Sequence, residues 1–320
     1  MSDVSIVGAG AWGIALAIQA ARAGANVLLW ARDPLRAGDL AAQRESIRLP
    51  GVRLVQQVTV TDDLSRVRGV VLLAVPMQHQ RAILTRLPPG TAPLVICAKG
   101  FETGTHLLPL EVVQSLHPGA EAAVLTGPNF AHEVAAGLPA AAVVSATQAA
   151  LREQVIGALS TPTFRLYGND DPIGAQVGGA AKNVIAIAAG AVIGAGLGEN
   201  ARAALITRGL AELARLAVAL GGRRETVMGL SGLGDLLLTC TGPASRNYSL
   251  GAALGRGELL ADVLAARSAV TEGVATAPAL VARAVGVDLP ICTAVAALLE
   301  GRTTLRQAIT DLLARPLRDE

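Results

Sequence analysis

The sequence predicts an α/β fold: a doubly wound, mostly parallel sheet in a domain over residues 1–170, followed by an all-helical domain over residues 171–320. Three observations predict it. Short apolar runs (VSIVG, NVLLW, VVLLAV, PLVICA, AAVLTG and AAVVSA) recur through the first half, most of them far enough apart to enclose the crossover helix that parallel strands require. After about Tyr167 strand signals give way to long helical stretches, and GNDDP at residues 168–172 supplies turn residues where the pattern changes. A length of 320 residues is enough for two domains, each burying its own core.

Taken in order, the first strand VSIV runs into GAGAWG, Gly8 to Gly13, and then into the helical pattern IALAIQAARAG. Strand, glycine turn and helix in that order are the context of a dinucleotide fingerprint, so the first domain reads as Rossmann-like and dinucleotide-binding. Gly8 permits the tight turn, Gly10 lets a pyrophosphate approach the backbone, and Gly13 allows close helix packing; the alternative is a purely structural glycine turn. At the end of the second strand, NVLLW, the place of the usual ribose-binding acid falls at Ala31. Arg32 follows and could pair with a 2′-phosphate, which favours NADPH over NADH. A one-residue shift would instead bring Asp33 to the ribose, and a merely solvated Arg32 is the plainer reading.

Further along, AKGFE at residues 98–102 and TGPNFAHE at residues 126–133 follow strands at their carboxyl ends, the side where α/β sheets bind ligands. The helical half opens on an apolar run from Pro172 to Gly198 whose single charged residue is Lys182. Its length would span a bilayer, but a charge near the middle, Ala and Gly richness and the lack of a second comparable run favour a buried helix of a folded core. Gly190, Gly194 and Gly198 recur every four residues and predict one face open to close helix approach. In GLGDLLLTCTGPASRN, residues 232–247, Ser245 can cap a helix starting near Arg246. That leaves backbone N–H groups and a guanidinium fork for a phosphate, or else an ordinary cap beside an exposed arginine.

Composition narrows the partners. Twenty-seven basic against 25 acidic residues give a net charge of +2, with no broad footprint for nucleic acid or an anionic membrane. Ala, Val, Ile and Leu dominate a 52% hydrophobic content and only 2% of the chain is aromatic, so the core is expected to form from small, closely approaching elements. Cys97, Cys240 and Cys292 are too few and too far apart for a disulfide framework, and the four histidines have no zinc-like spacing, so no metal is expected. Cys240 lacks a histidine or asparagine context and reads as a small buried residue. Met1-Ser2-Asp3 leads straight into the first strand without a signal-peptide layout, and a cytoplasmic location is the expectation.

The ordered set GAGAWG, AKGFE, TGP-x-FA-x-E, KN, GLGDL, SRN and the TEG of residues 271–273 resembles the bacterial NAD(P)-dependent glycerol-3-phosphate dehydrogenase family over essentially the whole chain. The resemblance implies reduction of dihydroxyacetone phosphate to sn-glycerol 3-phosphate with NADPH or NADH, feeding glycerophospholipid synthesis, in a possible homodimer. It would make Lys182 the catalytic acid/base, with Lys99, Gly127, Asn129, Asp235, Ser245, Arg246 and Asn247 around the substrate. It would give the cofactor Gly8, Gly10, Ala11, Trp12, Gly13, Arg32, Lys99, Ala131, Arg246, Val270 and Glu272. Ala11 stands where the family often has Ser, and Asn129 where it has Ser or Thr, so a hydroxyl contact is missing at both places.

The chemistry also stands on its own: hydride arrival puts negative charge on a carbonyl oxygen, and a nearby ammonium stabilises it and then supplies the proton. Desolvation in the apolar helix would lower the Lys182 pKa, and Asp235 would raise it again and orient the group. A structural Lys182–Asp235 ion pair is the alternative, as is a surface role for Lys99 and a simple helix-terminus role for Glu272. Two other functions compete: a related two-domain hydroxy-acid or sugar-acid dehydrogenase, and a non-catalytic NADPH-binding regulator on the same fold.

Overall fold

A computed structural model describes residues 2–88, 90, 93–267 and 269–316. The chain divides into two compact units, Met1–Lys99 with Leu108–Gln176, and Gly100–Leu107 with Val177–Glu320. The segment 100–107 thus groups with the second unit, and the division at the later position lies within a helix, a few residues beyond the GNDDP turn.

In the first unit the strands are β1 (Asp3–Val7), β2 (Asn26–Trp30), β3 (Glu45–Ser46), β4 (Leu49–Arg53), β5 (Val58–Thr61), β6 (Val70–Leu73), β7 (Leu94–Ile96), β8 (Ala122–Thr126), β9 (Ala140–Ser145) and β10 (Phe164–Asn169). The helices are α1 (Ala11–Arg22), α2 (Pro34–Gln43), α3 (Met77–Leu84), α4 (Pro109–Leu116), α5 (Ala131–Ala136) and α6 (Ala149–Leu159). Eight strands form one sheet in the order β10-β9-β8-β7-β6-β1-β2-β5, parallel except between β8 and β9, and β3 and β4 form a separate hairpin. The six apolar runs are all strands, and β6 and β7 are buried throughout, as parallel strands covered on both faces must be.

The short strands β3 and β4, the edge strand β5 and the other edge strand β10 lie outside those runs. Strand β10 alternates buried Phe164 and Leu166 with exposed Arg165 and Tyr167, the one-sided pattern of an edge. Strand order reverses at β1, where β2 lies on one side and β6 on the other, which opens a crevice at the carboxyl ends of these strands.

In the second unit the long helix α7 (Pro172–Gly194) continues from the first, and α8 (Gly198–Ala219), α9 (Arg224–Val227), α10 (Asp235–Cys240), α11 (Arg246–Gly255), α12 (Leu260–Ala265), α13 (Glu272–Arg283), α14 (Pro290–Leu299) and α15 (Leu305–Leu313) follow. Helix α7 is long and apolar enough to cross a membrane, but 89% of its most apolar window is buried within the protein. Small residues explain its packing. A Cβ on Gly190 would stand 2.0 Å from the Tyr248 carbonyl oxygen, one on Gly194 2.1 Å from that of Ala252, and, from the other side, one on Gly251 1.9 Å from that of Ile187. Only glycines let the backbones of α7 and α11 meet this closely, and the contact fixes Lys182 and Asn183 relative to Ser245, Arg246 and Asn247. Gly198 does not extend this face: it opens α8 at φ +86° with no neighbour in reach.

Candidate active site

In the first unit the glycine turn sits at the strand-order reversal. Gly8 donates its N–H to the Trp30 carbonyl at 3.0 Å, and a Cβ on Gly13 would lie 1.8 Å from the Gly8 carbonyl oxygen, so the helix can begin here only with glycine at 13. Gly10 is the N-cap of α1, has no atom within 4 Å of a notional Cβ, and carries no side-chain cap; no acidic residue occupies the first turn. Open backbone N–H groups at the positive end of a 12-residue helix fit a dinucleotide pyrophosphate. Ala11 and Trp12 are half-buried in that turn.

At the end of β2, Ala31 is buried and Arg32 is exposed, and among the described residues Arg32 has no hydrogen-bond or ion-pair partner. Asp33 is committed elsewhere. As the N-cap of α2 it accepts from Leu35 N at 3.0 Å and Arg36 N at 3.4 Å, and it lies 3.6 Å from the Arg36 side chain. The strand ends at Trp30, and Ala31, Arg32 and the capping Asp33 follow it in that order.

Beyond β7, half-buried Lys99 donates to the Gly127 carbonyl at 3.2 Å. Gly127 holds φ +142°, with Ala142 Cα 3.0 Å from where a Cβ would stand. Asn129 anchors its amide nitrogen on the Ala141 carbonyl at 3.1 Å, while its Oδ1 has no hydrogen-bond partner among the described residues and offers an acceptor. Ala131 opens α5 directly after this turn. Lys99, Gly127 and Asn129 thus form one cluster at the carboxyl ends of β7 and β8.

The second unit carries the ionic group. Lys182, 8% exposed, donates from Nζ to Asp235 Oδ1 at 2.5 Å and to Thr239 Oγ1 at 2.9 Å; Asp235 is 1% exposed. A π-turn over Leu230–Gly234 leads into α10 and sets Asp235 at its first position, with Thr239 one turn later on the same face. Desolvation of the ammonium is thereby offset by a carboxylate in contact. Thr239 is a partner that the sequence reading did not single out; its signal was the i, i+4 spacing from Asp235.

One residue along α7, Asn183 accepts from Asn247 Nδ2 at 2.9 Å, and Asn247 Oδ1 accepts from Gly273 N at 3.0 Å. Asn183 received no role from sequence, although it completes the KN pair. Ser245 caps α11 by accepting from Tyr248 N at 3.2 Å, as its place before Arg246 predicted, and it is buried. Exposed Arg246 donates one Nη to the Val270 carbonyl at 2.5 Å, joining two residues that the family resemblance assigns to the cofactor. Glu272, half-buried, begins α13 next to this loop, where a carboxylate suits the helix dipole.

The cysteines take no part in this chemistry. All three are free and buried; burial pushes the Cys97 and Cys240 thiols up to about 12 and raises that of Cys292 well above the ordinary thiol value, so none is a ready thiolate near neutrality.

A glycine turn that fits a pyrophosphate on a doubly wound sheet, followed by a helical unit, is the architecture of the nicotinamide-dependent dehydrogenases. Within that class, the chain belongs to the NAD-dependent glycerol-3-phosphate dehydrogenase family, whose N-terminal part matches residues 3–152 and whose C-terminal part matches residues 171–310. Among its relatives, the glycerol-3-phosphate dehydrogenase (NAD(P)+) of Acidiphilium cryptum is 55% identical over 99% of this chain and 98% of its own length. That of Gluconobacter oxydans is 51% identical over 98% and 97%. The crystal structure of glycerol-3-phosphate dehydrogenase from Coxiella burnetii superposes with a TM-score of 0.93 at 36% identity, covering 98% of this chain and 99% of that one. Both halves fall within one family of enzymes, which displaces the hydroxy-acid dehydrogenase and the non-catalytic regulator as alternatives.

Proposed function

We propose that this chain catalyses the reversible reduction of dihydroxyacetone phosphate to sn-glycerol 3-phosphate, with NADPH preferred over NADH. The observation that carries the chemistry is the buried Lys182–Asp235 contact, one residue from the Asn183–Asn247 network that borders the Ser245–Arg246 turn. When bound, the nicotinamide supplies the hydride to the carbonyl carbon. As the carbonyl π-electron pair moves onto oxygen, Lys182 Nζ faces the developing charge and transfers one proton to it; the neutral amine then regains a proton from water. Asp235 and Thr239 hold the ammonium in place. Arg246 and the first-turn N–H groups of α11 hold the phosphate, and Asn247 and Lys99 orient the rest of the substrate.

Cofactor preference is read from the exposed guanidinium of Arg32 after β2, which has no partner among the described residues, together with the capping role of Asp33. Gly8, Gly10 and Gly13 admit the pyrophosphate, with Ala11, Trp12, Ala131, Val270 and Glu272 around the rest of the cofactor. In the cell the product feeds glycerophospholipid synthesis, in the cytoplasm, from a homodimer; light scattering on the purified protein tests the last point.

The direct test is nicotinamide oxidation, followed by absorbance, with dihydroxyacetone phosphate and with unphosphorylated dihydroxyacetone. Much faster turnover of the phosphorylated ketone, with unphosphorylated dihydroxyacetone a poor substrate, and faster reduction with NADPH than with NADH at equal sub-saturating concentration, is the expected result. Equal use of the two ketones would overturn the phosphate assignment.

A further inference from the structure

Arg267 lies in the segment between α12 and α13 and was assigned nothing by the sequence. Its Nη1 donates to the Arg246 carbonyl at 2.8 Å and its Nη2 to Ser249 Oγ at 3.0 Å. Ser249 Oγ itself donates to the same Arg246 carbonyl at 3.1 Å. In the opposite direction the Arg246 guanidinium donates to the carbonyl of Val270, three residues beyond Arg267. Each arginine therefore grips the other's stretch of backbone.

The grip is not needed to make the helix. Ser245 already caps α11, and the glycine contact with α7 already fixes its path. Nor is it electrostatically neutral, because it brings two guanidinium groups together. Burial first, and then the charge of Arg246, hold the Arg267 pKa below the usual arginine value. The acidic group nearest in influence, Glu258, is already engaged by Arg256 at 2.7 Å. Two cations held together at an exposed helix start are relieved by an arriving dianion, and a planar fork that spans a carbonyl and a hydroxyl fixes orientation in a way a flexible ammonium does not.

We propose that Arg267 is a positioning residue for substrate phosphate: by gripping the backbone of Arg246, whose guanidinium in turn rests on the Val270 carbonyl, it holds the Arg246 fork in the orientation that receives the phosphate. The proposal rests on the reading of Arg246 as the phosphate-binding arginine.

The test compares the parent enzyme with Arg246→Gln, Arg267→Gln, Arg267→Lys and the double Gln variant, on dihydroxyacetone phosphate and on dihydroxyacetone. Arg267→Gln is expected to raise KM for the phosphorylated ketone about tenfold, the lower end for loss of a charged hydrogen bond, with kcat within about twofold of the parent. Activity on dihydroxyacetone and the thermal midpoint should stay near parental values, and Arg267→Lys should recover only part of the lost KM. In the Arg246→Gln background the Arg267 replacement should have less than about a twofold further effect, because its action passes through Arg246. Full additivity of the two replacements, or equal harm to both ketones, would overturn the positioning role while leaving the Arg246 assignment standing. If Arg246→Gln alone leaves phosphate selectivity intact, the underlying assignment of Arg246 fails, and this inference with it.

Discussion

Arg32→Ala is expected to convert a cofactor preference into near-indifference. The side chain is exposed at the carboxyl end of β2 and has no protein partner among the described residues, so its removal disturbs no internal contact. A guanidinium–phosphate hydrogen bond is worth roughly 1.5–3 kcal/mol, and exposure to solvent and salt argues for the lower figure. About 1.5 kcal/mol corresponds to a roughly tenfold rise in KM for NADPH, while KM for NADH should move less than about twofold. Initial rates of nicotinamide oxidation at varied cofactor concentration measure both, and the NADPH preference of the parent should shrink as salt is raised. Asp33→Ala supplies the control: it should cost about 1 kcal/mol of stability through the lost cap of α2 and leave KM for NADH unchanged. Equal losses for both cofactors in Arg32→Ala, or a selective NADH defect in Asp33→Ala, would refute the assignment of the strand end to Arg32.

Other outcomes follow from the helical unit. Gly190→Ala would place a Cβ 2.0 Å from the Tyr248 carbonyl oxygen and force α7 and α11 apart. Overpacking of this kind costs ~1–3 kcal/mol, and a shift of about 1 Å costs ~100-fold in rate, so thermal melts and kcat should fall together; parental values of both would show that the contact does not position the site. Glu212, 1% exposed, accepts from Ile291 N at 2.7 Å and Cys292 N at 3.0 Å at the start of α14, yet burial outweighs these bonds and raises its pKa. Because the folded form keeps this proton to higher pH than the unfolded form, its contribution to stability is full below the ordinary carboxylate range and is lost as pH rises through the raised value. Glu212→Gln should remove that decline from a series of thermal melts against pH, and an unchanged slope would contradict the shift.

What could be read from the sequence was local. GAGAWG declares itself because turn, pyrophosphate approach and helix packing each need glycine within six residues of one another. The Ser245 cap and the glycine spacing of α7 are equally local. Edge strands β5 and β10 escaped because an edge needs only one buried face, so neither shows a continuous apolar run. Gly198 fits the four-residue spacing by position alone, since the helix has already ended and the residue serves a turn. The grouping of residues 100–107 with the second unit depends on packing rather than composition. Thr239 on Lys182 and Arg267 on Arg246 are contacts 57 and 21 positions apart, fixed by helix packing that no single stretch encodes. A lone charge in an apolar run marked Lys182 and the family motifs supplied Asp235; the structure adds that the carboxylate is almost wholly buried, so its partner cannot be removed without consequence.

That consequence bears on the most direct measurement, single-turnover reduction of dihydroxyacetone phosphate by Lys182→Met. Loss of the ammonium leaves the 1% exposed Asp235 without its ion-pair partner, and breaking a buried pair of this kind costs about 3–5 kcal/mol, so the variant should melt earlier than the parent. The rate is therefore referred to the folded fraction, taken from stoichiometric NADPH binding below the melting transition. General acid catalysis contributes ~10²–10⁴-fold, so NADPH should bind with parental affinity while the reduction step slows at least ~100-fold. A folded, NADPH-saturated Lys182→Met protein that reduces the ketone at close to the parental single-turnover rate would contradict the assignment of Lys182 as proton donor.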